Sequence, residues 1–443
     1  MHHAAYIERV FDLIDPSQNL LFNMSIEEAI RRVGSGDAQA VGEIDGQFAI
    51  VARDGKDVRM ARTIGRPLRY FLAKQADGPC LVVAERMDQI RDQLDALGLG
   101  DQFHPSYTRM VPAHHLLHLK LIGCPDPNPQ CDRFFTPERN RWNADITDIG
   151  TRYIGALVDE CQRWLSTVPE REPLGVLFSG GIDSGAVLLA ITHSLLARGE
   201  SPARLKAFTL AIDGSSPDAD QARSFLKQLD MEMLLEVIDV DSADIDWRET
   251  VRAVEDYKRL DVEAATMGLA LCRGIRQRYD DWKWLVDGDG GDENLKDYPI
   301  EENPELTIRS VLNNLMLYQE GWGVNAIKHS LTYSGGQSRG HVRSFAPAQQ
   351  FGFRGFSPFS LPRVIEVAEG IPFIELTQWD HTRLYELKGQ VVAAGIQAVC
   401  GWNMPIFAKR RFQHGGASQE KTVSLFPQDD QAYRAEFQTL FQS

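Results

Sequence analysis

The sequence lacks three features that would assign it to a common class of protein. Its six cysteines are scattered, with no Cys-x-x-Cys pair and no His-Cys cluster at zinc-binding spacing, which favours a reduced, cytoplasmic protein with buried thiols. No window approaches eighteen uninterrupted apolar residues, and no basic start precedes an apolar core. We therefore expect neither a membrane span nor a signal peptide. Positive charge is also scarce: 62 Asp and Glu residues against 47 Lys and Arg residues give a net charge of −15, which argues against nucleic acid as the main partner.

The composition is otherwise that of an ordinary globular protein. Hydrophobic residues make up 43% and charged residues 25% of the chain. A length of 443 residues is enough for two or three domains, each with a core of its own.

The most informative stretch is Leu-Gly-Val-Leu-Phe-Ser-Gly-Gly-Ile-Asp-Ser-Gly at 174–185. An apolar run at 174–178 stops at a serine and two glycines, and apolar residues then recur at helical spacing from 186 to 196, so strand, tight loop and helix are predicted. Gly180 and Gly181 allow the backbone to approach a ligand, and free N–H groups at a helix start attract an anion such as phosphate. Asp183 beside phosphates indicates a divalent cation. The stretch therefore favours a nucleotide with magnesium, the alternative being an ordinary glycine-rich turn.

A second glycine-rich loop follows a predicted strand at 282–286. It reads Asp-Gly-Asp-Gly-Gly-Asp-Glu at 287–293, and its four carboxylates would repel one another unless a cation lay among them. The alternative is a solvated acidic turn.

Strands and helices alternate around these loops. A helix at 149–165 precedes the first loop, strands are predicted at 206–212 and 234–238, and a helix at 219–229 separates those two strands. This alternation predicts an α/β domain with a parallel sheet, in which ligands bind at the carboxyl ends of the strands.

The N-terminal third has a different pattern. Tyr6, Val10, Phe11 and Ile14 share one helical face, and another helix starts near residue 26. Short strands at 44–53, 58–62, 69–73, 80–84 and 114–121 then predict an antiparallel sheet. The three histidines at 114, 115 and 118 have no acidic or cysteine partner at ligand spacing, which favours ordinary strand histidines over a metal site. A Pro-, Asp- and Asn-rich stretch at 123–138 is typical of a linker, and we place a domain boundary near 140.

The two loops carry a family resemblance. Ser-Gly-Gly-Ile-Asp-Ser resembles the pyrophosphate loop of the N-type ATP pyrophosphatases, and its flanks resemble those of the asparagine synthetase family. The second loop is similar to that family's Ser-Gly-Glu-Gly-Ser/Ala-Asp-Glu, with Tyr298 where its Gly-Gly-Tyr ends. Residues 404–415 keep its Lys-x-x-Phe-x-x-Gly ending. The resemblance implies an adenine nucleotide alpha hydrolase-like domain with a helical C-terminal half over residues 141–443.

The same resemblance implies roles for individual residues. Asp183 and Asp292 would hold Mg²⁺ on the ATP phosphates, and Lys409 would reach the α and β phosphates. Asp289 and Glu293 would face the reacting carboxyl group and the acid substrate, Asp289 where the family has glutamate. The implied ATP-binding residues are Phe178, Ser179, Gly180, Gly181, Asp183, Ser184, Leu210, Asp287 and Gly288.

Residues 1–140 resemble only part of the family's N-terminal nucleophile glutaminase domain. The match rests on Gly-Gln-Phe-Ala-Ile-Val at 46–51 and Ala-Arg-Thr-Ile-Gly-Arg-Pro-Leu-Arg-Tyr at 61–70. The family's nucleophilic cysteine is replaced by His2, so we expect a degenerate α+β domain without glutaminase activity.

The activity implied by the resemblance is AMP-forming amide ligation, with ATP and Mg²⁺ as cofactors and aspartate with ammonia as the family's default substrates. Two alternatives stay open: an intramolecular ligase similar to the β-lactam synthetases, and a nucleotide-binding scaffold without catalysis. The expected partners are a small carboxylate and an amine, not a membrane or nucleic acid, and a homodimer is left open.

Overall fold

The computed structural model describes residues 7–122, 129–297, 341–408 and 424–441. The predicted site residue Lys409, together with His2 and Tyr298, lies outside these residues. The described chain divides into two compact units between Thr136 and Pro137, and residues 438–441 belong to the first unit. The functional assignment of residues 1–140 and 141–443 stays a prediction.

The described residues form both strands and helices, numbered in chain order. The strands are β1 (Arg9–Asp12), β2 (Leu20–Leu21), β3 (Gly46–Gln47), β4 (Ala49–Asp54), β5 (Asp57–Arg62), β6 (Arg69–Gln75), β7 (Gly78–Ala84), β8 (Arg109–Met110), β9 (His115–Lys120), β10 (Gln130–Arg133), β11 (Leu174–Leu177), β12 (Leu205–Ile212), β13 (Leu235–Val240), β14 (Trp284–Val286) and β15 (Arg354–Phe356). The α-helices are α1 (Ile26–Ser35), α2 (Ala38–Gly42), α3 (Met87–Ala96), α4 (Ile146–Leu165), α5 (Ile182–Ala197), α6 (Pro217–Lys227), α7 (Trp247–Val254), α8 (Arg259–Arg278), α9 (Gly291–Asn294), α10 (Ala346–Gln350), α11 (Pro362–Glu369), α12 (Phe373–Thr377), α13 (Leu384–Cys400) and α14 (Asp430–Thr439), and a π-helix spans His341–Phe345.

The first unit contains two four-stranded sheets with orders β1-β7-β6-β8 and β10-β9-β5-β4. Alternate side chains of both sheets meet in one core that includes Met60, Leu81 and Leu117. The opposite face of each sheet carries its own apolar cluster: Val33 of α1 belongs to one and Ile90 of α3 to the other. The unit is therefore a sandwich of two sheets covered by helices. Its identity as a degenerate glutaminase stays a prediction.

The predicted helix through Val10 and Phe11 is wrong. Residues Arg9–Asp12 form strand β1, which pairs in parallel with β7 so that Val10 lies opposite Leu81. The apolar side chains at 10 and 11 face opposite sides of the sheet, and pairing with a distant strand overrides the local helical pattern. The helix expected from residue 26 is confirmed as α1, which starts after a Ser25 side chain that caps Glu28 N.

The second unit is built on a five-stranded sheet of order β13-β12-β11-β14-β15, in which every pair is parallel. The predicted α/β architecture with a parallel sheet is thus confirmed. Strands β11 and β14 are neighbours, with Val176 opposite Val286, so the two glycine-rich loops leave the same edge of the sheet side by side.

Two long helices cross closely behind this sheet. A Cβ on Gly150 of α4 would lie 2.4 Å from Val391 O, and one on Gly395 of α13 would lie 2.2 Å from Gly150 O. Only glycine permits this approach, which fixes the position of α13 relative to the loops. No helix in the described part of the chain is both long and apolar enough to cross a membrane.

Candidate active site

The first glycine-rich loop makes a tight turn between β11 and α5. Gly180 has a φ of +72°, and a Cβ there would lie 2.8 Å from Ala222 N on α6. Gly181 is the N-cap of α5, a position at which backbone N–H groups and the helix dipole attract an anion. The local geometry is therefore that of an anion-binding loop.

Two serines hold this loop in shape. Ser179 N donates a hydrogen bond to Ser184 Oγ over 3.3 Å, and Gly181 N donates to Ser179 Oγ over 3.3 Å. Gln221 Nε2 donates to Ser179 O over 3.3 Å and ties the loop to α6. The serine pair thus stabilises the turn from within.

The second loop packs directly on the first. Gly290 has a φ of +98° and ends the turn between β14 and the short helix α9. A Cβ on Gly288 would lie 2.7 Å from Ser184 N, and one on Gly291 would lie 2.2 Å from Asp183 Oδ1. The glycines of the second loop therefore allow its backbone to touch the first turn of α5, the helix that follows the first loop.

The carboxylates of Asp183 and Asp292 meet at a single ammonium group. Lys388 Nζ donates to Asp183 Oδ2 over 2.5 Å and to Asp292 Oδ1, and Asp297 Oδ2 lies 3.6 Å away. The Lys388 side chain is only 2% exposed. Burial lowers the pKa of Lys388, but the charges of Asp183 and Asp292 outweigh burial and hold that pKa well above its ordinary value. Lys388 is therefore a permanent cation between the two loops.

Lys388 was not among the predicted site residues. It lies on α13. The next residue, Gly389, leaves room for the Ile406 side chain, because a Cβ added at residue 389 would lie 3.2 Å from Ile406 Cδ1. The sequence carries one local signal for it, a lysine among the mostly apolar residues of a helix, where a buried charge needs a partner. That signal does not identify the partner.

The two residues predicted to contact adenosine, Phe178 and Leu210, are both 3% exposed. Phe178 N donates to Phe208 O of the neighbouring strand, and its ring packs edge-on against Phe225. Both Phe178 and Leu210 thus lie at the carboxyl ends of adjacent parallel strands, next to the anion-binding loop.

Asp287 and Asp289 lie beside each other at the end of β14. Asp287 is 4% exposed and accepts hydrogen bonds from Ser357 Oγ over 2.8 Å and from Asp289 N over 3.0 Å. Burial raises the pKa of Asp287 well above its ordinary value, and the charge of Asp289 adds to the rise. Burial also raises the pKa of Asp289 to about 7, although a hydrogen bond from Ser344 and the charge of Arg343 both lower it. Both oxygens of Asp287 are engaged within the chain, whereas Asp289 Oδ2 has no hydrogen-bond partner among the described residues.

Glu293 follows Asp292 on α9 and is partly exposed. Its negative charge acts on Arg343 and on Lys296. Lys296 is 1% exposed, has a φ of +59° and forms a buried ion pair with Glu369. This pair fixes the end of the second loop to α11.

The segment that leads to Lys409 contacts the site through Met404 and Phe407. Tyr385 OH, one helical turn before Lys388, donates to Phe407 O. Met404 packs closely on Gly185 of α5, since a Cβ added to Gly185 would lie 2.9 Å from Met404 Cε. The position of Lys409 itself lies outside the described residues.

The residues present fit a magnesium ion that arrives with a nucleotide. Asp183 and Asp292 both contact one atom, Lys388 Nζ, so they are close enough to share one cation. No group of three His, Cys, Asp or Glu side chains in the described part of the chain could hold a metal ion. Mg²⁺ normally takes one or two carboxylates and completes its shell with phosphate oxygens and water, which is the donor set available at these loops.

Comparison with known proteins gives one result for this region. Residues 167–349 match the family described as asparagine synthase, a range that contains both glycine-rich loops but neither Lys388 nor residues 1–166. No match is found among curated proteins. Residues 167–349 therefore match an asparagine synthase family domain, a kind of domain that indicates an ATP-dependent, amide-forming ligase.

Proposed function

We propose that the protein is an AMP-forming amide ligase that activates a carboxylate with ATP and then transfers an amine to it. The observation that carries the proposal is the convergence of Asp183, Asp292 and Lys388 at the mouth of the anion-binding loop. An acid pair with a buried cation provides both a place for a metal–phosphate complex and positive charge for a departing pyrophosphate.

In this proposal the N–H groups at the start of α5 and the loop of Ser179–Gly181 bind the phosphates of ATP. Asp183 and Asp292 would hold Mg²⁺, which would supply positive charge to the phosphates. Lys388 then transfers its hydrogen bonds from the two aspartates to phosphate oxygens, and Lys409 contributes a second cation. Phe178 and Leu210 pack against the adenosine.

The first chemical step is attack of a substrate carboxylate oxygen on the α phosphorus. A new bond forms between that oxygen and the α phosphorus, the bond from the α phosphorus to the bridging oxygen breaks, and pyrophosphate leaves. In the second step the amine attacks the acyl carbon and loses a proton. The bond between the acyl carbon and the oxygen that links it to the phosphorus breaks, and AMP leaves with that oxygen. Asp289, with an unpaired buried oxygen and a pKa of about 7, is suited to accept that proton.

Aspartate and ammonia are the first substrates to test. An intramolecular ligase similar to the β-lactam synthetases is less well supported, since the resemblance gives those enzymes a tyrosine where this chain has Asp289. Residues 1–140 are proposed to serve as a structural domain, so that free ammonia or an amine, rather than glutamine, is the nitrogen donor.

The test has two stages. Carboxylate-dependent exchange of labelled pyrophosphate into ATP is measured across a panel of amino acids and of mono- and dicarboxylic acids, and amide formation is then measured with ammonia against glutamine. We expect exchange with a restricted set of acids and product with ammonia only. Absence of exchange with every acid, together with tight binding of uncleaved ATP, would support a scaffold instead, and turnover with glutamine would overturn the proposed role of residues 1–140.

A further inference from the structure

The acid substrate faces an electrostatic problem at this site. Its carboxylate must approach a loop that carries Asp292 and Glu293, together with Asp289 in its ionised form. Like charges in a partly desolvated site repel one another strongly, so a carboxylate enters only where a cation receives it.

Three described cations interact with this loop, and their exposure separates them. The side chains of Lys388 and Lys296 are each 2% exposed. Lys388 is held by Asp183 and Asp292, on the side of the site proposed for the metal and the phosphates, and Lys296 is enclosed in a buried ion pair with Glu369. The side chain of Arg343 is 25% exposed, which leaves Arg343 as the cation that can receive the acid substrate.

Arg343 is held on one side by Asp261. Its Nε donates to Asp261 Oδ1 over 3.1 Å, and its Nη2 lies 3.0 Å from the same oxygen. Asp261 is 2% exposed in the first turn of α8. The same helix comes close to the backbone of Arg343, because a Cβ on Gly268 would lie 2.5 Å from Arg343 O. Helix α8 thus fixes both the main chain and the guanidinium group of Arg343.

Arg343 also acts on the second loop. The charges of Glu293 and Asp289 both act on its guanidinium group, and the adjacent Ser344 donates a hydrogen bond to Asp289. Arg343 lies in the π-helix His341–Phe345, a form of helix that recurs at functional sites. A guanidinium group offers five N–H donors in a plane that matches a carboxylate, and Asp261 engages one edge of it.

We propose that Arg343 is a specificity-determining residue that receives the carboxylate of the acid substrate, and that Asp261 is the residue that positions it. This inference rests on the proposed function and adds the group that selects a carboxylate for it. Arg343 accordingly stabilises the carboxylate beside Asp289 before ATP is attacked. Asp261 acts only through Arg343.

The test measures ATP–pyrophosphate exchange with the acid that gives the highest rate in the wild-type panel. Arg343→Gln is expected to raise the KM for that acid by about 30-fold, the loss of a charge-assisted hydrogen bond, and to change the KM for ATP by less than about two-fold. Arg343→Lys keeps the charge but not the planar donors, so an intermediate KM is expected. Asp261→Asn is expected to raise the acid KM by about ten-fold.

The matched control is Arg259→Gln on the same helix. Arg259 donates to Glu263 over 2.7 Å and to Gln428 O over 3.0 Å, so its replacement is expected to leave both KM values unchanged. The double variant Arg343→Gln with Asp261→Asn is expected to be no worse than Arg343→Gln alone, which a general structural role of Asp261 would not produce.

The outcomes separate the two proposals. If the wild type shows no exchange with any acid, the proposed function fails and this inference fails with it. If the wild type is active but Arg343→Gln leaves the acid KM unchanged, or raises the KM for ATP equally, the inference alone is overturned. Should Arg343→Gln fail to fold, judged by thermal unfolding, Arg343→Lys and Asp261→Asn decide the question by the same comparison of KM values.

Discussion

The ammonium group of Lys388 lies 2.5 Å from Oδ2 of Asp183, although the two residues are 205 positions apart in the chain. The contact joins helix α13 to the start of α5. Since the same ammonium group also binds Asp292, one lysine offsets part of the charge of the two aspartates that are proposed to hold Mg²⁺. Binding of a metal–nucleotide complex to these aspartates therefore requires Lys388 to give up its contacts with them.

The first prediction concerns Lys388→Met. Removing the buried cation leaves two carboxylates close together, and we expect the free energy of unfolding to fall by about 3 kcal/mol. This is the low end for a broken buried pair, because the Asp183 and Asp292 side chains are 22% and 33% exposed. Without the lysine the aspartates are available to a metal. Added Mg²⁺ is therefore expected to raise the Tm of the variant but not that of the wild type, and ATP–pyrophosphate exchange is expected to fall at least about 100-fold.

Lys283→Met is the control for this change. Lys283 is 57% exposed and pairs with Glu172 over 3.0 Å, so its loss is expected to alter stability by less than about 0.5 kcal/mol. Equal Mg²⁺ responses in Lys388→Met and the wild type would contradict this loss of the Lys388 contacts.

The second prediction concerns contact between the two loops. Gly291→Ala would place a Cβ 2.2 Å from Asp183 Oδ1, and the Asp183 carboxylate must move. Because alanine is a good helix former, α9 itself tolerates the change. We expect a folded protein whose Kd for Mg²⁺–ATP, measured by calorimetry, rises at least about ten-fold.

Gly155→Ala in α4 is the matched control, since a Cβ there meets nothing within 4 Å. Its nucleotide affinity should equal that of the wild type, and its stability should rise by up to about 1 kcal/mol. Unaltered nucleotide binding in Gly291→Ala would show that Asp183 does not contact the metal complex.

The parts of the site that sequence could predict are those encoded locally. The strand, glycine turn and helix around Gly180 and Gly181 follow from residues next to one another, and the parallel sheet follows from the alternation of strands and helices. Lys388 could not be found in this way, because its role depends on where α13 crosses α4 at Gly150 and Gly395. The error at Val10 has the same cause, since a distant strand, not the local pattern, decides the structure there.

The third prediction concerns the buried pair of Lys296 and Glu369. Burial lowers the pKa of Lys296 from 10.5 to about 8, although Glu369 opposes the change. Between these values the unfolded chain binds more protons than the folded chain, so this residue makes stability rise as the pH increases from 8 to 10.5. Lys296→Met removes that contribution, and Glu369 keeps Arg139 as a partner over 3.0 Å.

Urea unfolding at several pH values tests this effect. The stability difference between wild type and Lys296→Met should change in favour of the wild type as the pH rises through that range. Lys206→Met, which removes a partly exposed lysine paired with Glu236, is the control for loss of an ion-paired lysine from a less buried position. A stability difference for Lys296→Met that does not vary with pH would place the pKa of Lys296 at its ordinary value.

The last prediction concerns Asp289 as the proposed proton acceptor. Because its pKa is about 7, Asp289 is mostly ionised only above neutral pH. The rate of amide formation should therefore fall as the pH falls below 7, which gives the pH profile an acidic limb. Exchange of pyrophosphate transfers no proton to Asp289 and should not show this limb. Because Asp287 titrates beside it, the limb reports the pair. Asp289→Asn should slow amide formation about 100-fold and abolish the limb, while Asp289→Glu should keep part of the rate.

The raised pKa of Asp289 also predicts a contribution to stability that is present at low pH and lost as the pH rises from 3.8 towards 7. The Asp289→Asn variant should therefore gain stability over the wild type across this range. If amide formation by Asp289→Asn keeps the acidic limb, another group accepts the proton.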